Sequence, residues 1–167
     1  MVLNRLFGRS PGEAASAVSN ALAPEPPDSP KELAAELFRV VRFVNASAGQ
    51  LPPAAVVTAR RITDTINQVL LTTRDRELDI HARVSLNGML RDYLPTTLRT
   101  FLALDPAGRA RPAPNGITPT IALTEQLDFL LGAALEALTA VRNDDANALL
   151  AQGSFLRTKF ARSELDL

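Results

Sequence analysis

The chain has 167 residues, 46% of them apolar, with eighteen basic residues balancing eighteen acidic ones. That length suits one domain, or one domain with an appendage, and the apolar share is enough for a core. The zero net charge removes the global field that would draw a protein onto nucleic acid or anionic lipid. The absence of cysteine excludes disulfides and thiolate metal sites, and the single histidine, His81, leaves few routes to acid–base catalysis.

Residues 1–8 form a short amphipathic patch, with Leu3, Leu6 and Phe7 beside Asn4 and Arg5. No apolar stretch follows Arg5 and Arg9, so a secretory leader is not expected. Pro11, Gly12, Pro24, Pro26 and Pro27 then give residues 9–28 the composition of a linker. Residues 1–28 are read as patch plus flexible linker, and residues 29–167 as the folded domain.

Ser29-Pro30-Lys31-Glu32 opens the first strong helix: serine caps, proline suits the first position, and glutamate closes a capping box. Leu33, Leu37, Val40, Val41 and Val44 repeat at helical spacing, and Gly49 offers a left-handed stop. Asn45-Ala46-Ser47 matches a glycosylation acceptor, but without an export signal Asn45 reads as a helix-end residue. Leu51-Pro52-Pro53 leads to a second helix whose buried face carries Ala55, Ala59, Ile62, Ile66, Val69 and Leu70.

After a polar connection over residues 72–77, a third helix sets Leu78, Ala82, Leu86, Met89, Leu90 and Tyr93 on one side. Pro95 disfavours helix at Leu94, so a break or kink is expected at Leu94-Pro95, with the Tyr93 ring packed into the bundle. Helix resumes through Leu98, Phe101 and Leu102. Residues 105–116 read as a loop. Thr118-Pro119 opens a helix with a wide stripe of Leu123, Leu127, Leu130, Leu131, Ala134, Leu138 and Val141. Asn143-Asp144-Asp145 is expected to separate it from a last helix holding Ala146, Leu149, Leu150, Leu156 and Phe160. Residues 161–167 read as a frayed tail.

No segment alternates with the two-residue period of an exposed strand. The expectation is all-α: an antiparallel helical bundle of five to six main helices. Sixteen of the eighteen basic residues are arginine, which with abundant alanine fits a GC-rich bacterial genome.

Motifs that carry catalytic chemistry are mostly missing from the sequence. There is no complete phosphate-binding loop, no Gly-x-Ser-x-Gly turn and no Glu-x-x-His pair. The carboxylate pair Glu32/Glu36 and the trio Asp75/Glu77/Asp79 sit at helix starts, where negative charge is favoured anyway. No catalytic, cofactor-binding or metal-ligating residue is assigned, and no cofactor is expected. Arg76, Arg83 and Arg91 recur near whole turns of one helix and, with Asn87, form either a solvated face or a stripe for an anion or acidic partner.

The segment Leu90-Arg91-Asp92-Tyr93-Leu94-Pro95-Thr96-Thr97-Leu98, continuing to Leu104, resembles a helix–Tyr-Leu-Pro–helix segment. That segment occurs in the bacterial family named for bromo-chloro-indolyl phosphate hydrolysis and in its toxic-anion-resistance relatives. Gln126-Leu127-Asp128 and Phe155-Leu156-Arg157-Thr158-Lys159-Phe160 look like pieces of uncharacterised actinobacterial helical proteins. The resemblance implies a cytosolic, stress-associated helical protein and brings no catalytic motif.

The leading expectation is a non-enzymatic cytoplasmic interaction or adaptor protein. Its partner is another protein or a second copy of itself, and no nucleic acid. Its candidate interaction residues are Leu3, Leu6, Phe7, Arg83, Arg91, Asp92 and Tyr93. Two alternatives are a peripheral membrane adaptor laying residues 1–9 in the interface, and a hydrolase of phosphorylated substrates using Arg83 or Asp92.

Overall fold

The computed structural model describes residues 26–74 and 77–163, with side chains described throughout except at 148 and 153–163. The amphipathic patch, most of the linker, Arg76 and residues 164–167 lie outside the described residues.

Among the described residues every regular element is helical: α1 (Pro30–Ser47), α2 (Pro53–Thr72), α3 (Ile80–Gly88), a π segment (Met89–Tyr93), α4 (Leu94–Leu102), α5 (Pro106–Ala110) and α6 (Pro119–Ser163). The all-α bundle is as expected. The start of α1 follows its sequence: the Ser29 hydroxyl accepts the Glu32 N–H at 3.2 Å, and Pro30 occupies the first turn. The stop does not. Among the described residues only Gly116 has a positive φ, so Gly49 supplies no left-handed cap. Instead α1 tightens into a 3-10 turn over Ala48–Gln50 before Leu51 extends into Pro52.

The core is continuous. Leu33, Leu37, Val40 and Val44 of α1 are buried with Ala55, Ala59, Ile62, Ile66 and Val69 of α2, and with Leu123, Leu127, Leu130, Leu131, Ala134, Leu138 and Val141 of α6. Leu86, Leu90, Leu94 and Leu98 complete it, each fully buried. The most extensive packing is α2 on α6, then α1 on α2, with α4 also against α6. Arg60 of α2 hydrogen-bonds Asn45 of α1 at 3.0 and 3.2 Å, so the end of α1 lies beside the first half of α2 and the two run antiparallel. Each buried large aliphatic side chain contributes roughly 1.5–3 kcal/mol of transfer free energy, so these stripes supply the main stabilising term.

Three expectations are corrected here. First, of the break or kink expected at Leu94-Pro95, the break does not occur. The Leu94 N–H reaches back five residues to the Met89 carbonyl, and α3, the π segment and α4 follow one another without interruption, together called the rod below. A proline ring collides with the carbonyl four residues back in a regular α-helix, and widening one turn relieves that conflict without ending the helix. Second, Asn143-Asp144-Asp145 separates nothing: α6 runs unbroken for 45 residues. Asparagine and aspartate each cost under about 0.7 kcal/mol in a helix, and this segment holds neither proline nor glycine. Third, the loop over residues 105–116 contains α5, capped by the Asp105 carboxylate on the Gly108 N–H at 2.8 Å.

Arg109, which the sequence places in a loop, is a staple. Its guanidinium donates to the Leu104, Gln50 and Leu102 carbonyls at 2.9, 2.8 and 3.1 Å and lies over the Phe101 ring. It thereby satisfies open carbonyls at the end of α4 and ties that end to the turn after α1.

Candidate functional site

The rod formed by α3, the π segment and α4 positions the candidate residues. In an α-helix, residue 93 would sit one turn beyond Met89 and Leu90 and share their buried side. The π turn carries one extra residue, which rotates the succeeding positions by roughly 100°. Leu94 takes the buried position instead, and Tyr93 is 61% exposed. The expectation of a Tyr93 ring packed into the core is therefore corrected. The ring folds back over Gly88, where a β-carbon would stand 3.1 Å from Tyr93 Cε2.

Tyr93 forms one wall of a groove of about 420 Å³, with Thr97 beside it and Glu125, Gln126, Phe129 and Leu130 of α6 opposite. Phe129 is 77% exposed, the most open large apolar side chain described. Ile80 and Val84, also exposed, lie eight and four residues before Gly88 on the same face of α3.

The other sequence candidates fall elsewhere. Leu3, Leu6 and Phe7 lie outside the described residues. Arg83 and Arg91 bind within the chain rather than presenting a stripe. Arg83 Nε lies 3.3 Å from the Asp28 carboxylate, an ion pair without hydrogen-bond alignment. Arg91 donates to Asn87 Oδ1 at 2.9 Å and to the Pro27 carbonyl at 3.2 Å, with Glu32 at 3.7 Å. Together they clamp residues 27–32 onto the rod. Asp92 is exposed beside Tyr93. Thus Tyr93 belongs to the groove with Asp92 next to it, while Arg83 and Arg91 serve the fold.

His81 is exposed at the start of α3. Its backbone N–H and that of Ala82 donate to the Asp79 carboxylate at 2.8 and 3.3 Å. The Ala82 hydrogen bond, outweighing partial desolvation, and then the His81 hydrogen bond and charge hold the Asp79 pKa below its ordinary value. A smaller cleft of about 220 Å³ near this cap is lined by Glu77, Asp79 and Asp144 with Thr73 and Val141. Among the described residues no three metal-ligating side chains converge, there or elsewhere.

Sequence reading misses Thr97, Glu125, Gln126, Phe129 and Leu130 as a site. The signal is present at Phe129: a large aromatic set off the Leu123–Val141 stripe, on the wet side of α6, where packing gives it no reason to be.

Comparison with protein-family models, with curated proteins and with solved structures finds no match.

Proposed function

We propose that the chain is a non-enzymatic, cytoplasmic interaction module that seats an amphipathic helix of a protein partner in the groove between α4 and α6. The observation that carries this reading is the pairing of Tyr93 and Phe129, both largely exposed, across one concave apolar surface. Exposed apolar patches with a polar rim mark interaction sites, and aromatic side chains supply most binding hot spots. Glu125, Gln126 and Thr97 provide the rim. The rod and α6 hold both walls on rigid helices, which lowers the ordering cost of binding. Covering two large aromatics contributes roughly 1.5–3 kcal/mol each before association costs, which suits a reversible partner rather than a permanent subunit.

The test is a photo-crosslinking amino acid placed at Phe129, with a second at Val57, an exposed apolar position of α2 outside the groove. In native-host extract, position 129 should give a discrete adduct that excess unlabelled protein competes away, and position 57 should not. Equal labelling from both positions would refute the assignment.

A further inference from the structure

We propose that the groove is covered in the resting protein by the chain's own N-terminal segment, residues 2–7, docked as one amphipathic turn and a half. This rests on the groove being a docking site, and it names the first occupant of that site.

Three observations carry it. The spacing fits: Leu3, Leu6 and Phe7 stand at i, i+3 and i+4, the anchor pattern of a helix laid in an apolar groove. They lie outside the described residues, but that pattern is fixed by the sequence.

The tether fits as well. The first described residues are held on the correct rod, since Arg91 binds the Pro27 carbonyl and Tyr93 follows two residues later. Crossing from one side of a helix to the other covers about 10–12 Å. Residues 8–25, eighteen in all, join Phe7 to Pro26. A coil of that length has a root-mean-square span of about 21–25 Å, ample for this path.

The charges agree. Among the described residues the one carboxylate lining the groove is Glu125, and Asp92 is exposed beside Tyr93. The segment brings Arg5, Arg9 follows it at the start of the tether, and residues 1–9 hold no acidic residue. Docking therefore meets no like-charge repulsion, and the rim charges attract.

Tethering makes weak docking sufficient. A short tether gives an effective concentration in the millimolar range, so a segment with roughly millimolar intrinsic affinity covers the groove about half the time. A partner helix must displace it. The module is thereby self-masked, and its apolar surface is hidden until a better ligand arrives.

The chain provides its own probe. Tyr93 is the only tyrosine and there is no tryptophan, so tyrosine emission reports on this groove alone. Acrylamide quenching of the full-length protein should be compared with that of a full-length variant carrying Leu6→Asp and Phe7→Asp, circular dichroism confirming equal helix content. The quenching slope should rise about twofold in the variant, because half-coverage is removed. The wild-type slope should not change on dilution. Phe129→Asp, which spoils the opposite wall, should give the same rise. Equal slopes in wild type and segment variant overturn the proposal. A wild-type slope that rises on dilution also overturns it, and assigns the occupant to a second copy. If the slopes are equal while crosslinking from position 129 persists, the groove still docks a partner and only the internal occupant falls. If the slopes differ while crosslinking is absent, the segment docks and the external partner falls.

Discussion

The Tyr93 ring lies over Gly88, five residues back, where a β-carbon would stand 3.1 Å from Tyr93 Cε2. Five residues is the reach of a π turn, so this contact is the side-chain counterpart of the Leu94 N–H to Met89 carbonyl bond. It turns Tyr93 outward and creates one wall of the groove.

Gly88→Ala tests that geometry. Alanine gains up to about 1 kcal/mol over glycine in a helix. The new methyl must displace the Tyr93 ring by a few tenths of an ångström, which an exposed ring permits. The expected result is an unfolding midpoint raised by about 2–4 °C, together with altered tyrosine emission. A lowered midpoint would mean that the ring is held rigidly and does not yield.

Tyr93→Ala and Leu94→Ala should separate sharply. Tyr93 is mostly exposed and its truncation should cost under about 1 kcal/mol, since the loss is confined to the buried part of its ring. Leu94 is fully buried, and cavity formation there should cost about 2–5 kcal/mol. Denaturant unfolding of the two variants beside wild type checks this. Similar losses for both would place Tyr93 back in the core.

How far the sequence foretells this arrangement is clearest along the same rod. Ala82, Leu86, Leu90, Leu94 and Leu98 recur every four residues. A four-residue step overshoots an α-helical turn by about 40°, so over this stretch the stripe drifts by about 160°. One π turn recovers roughly 100° of that and keeps all four leucines buried. The drift is legible in the spacing. The fate of Pro95 is not, because a proline conflict has two remedies and only packing selects between them.

Elsewhere the stripes of α1, α2 and α6 as far as Val141 are legible, since each keeps to helical spacing and is buried apart from the half-buried Val41 and Leu70, whereas Leu149 and Leu150 farther along α6 are exposed. The continuity of α6 past Asn143 is not, because weak propensities accumulate without a single deciding residue. The groove is half legible: the sequence marks Tyr93, though for the opposite orientation, and Phe129 only by its place off the α6 stripe. A groove between helices depends on their relative placement, which no single helix's periodicity contains.

Arg109→Ala should lose about 1.5–3 kcal/mol, the range for hydrogen bonds to a charged group. Arg109→Lys should recover little of it, because an ammonium cannot reproduce a planar fork reaching the Leu104, Gln50 and Leu102 carbonyls at once. Thermal unfolding of both variants decides it, and full rescue by lysine would show that charge rather than geometry matters.

Asp79 sets a pH dependence with a definite sign. Its folded pKa lies below its ordinary value, so the folded state favours the ionised carboxylate. Its stabilising effect is complete above the ordinary carboxylate range, and it is lost as pH falls below about 4 and through the lowered folded value. Asp79→Asn keeps a capping side chain but removes the ionisation. Midpoints against pH should fall less steeply for the variant in that acid window, while superimposable profiles would show that the cap is not linked to protonation.

The assignment of the groove as a docking surface is tested most directly by Phe129→Asp, with the photo-crosslinker moved to Thr97. Phe129 is 77% exposed, and surface substitutions away from packed features stay within about 0.5 kcal/mol. The expected result is a wild-type unfolding transition with the crosslinked partner lost. A strongly destabilised protein, or undiminished crosslinking from Thr97, would contradict it.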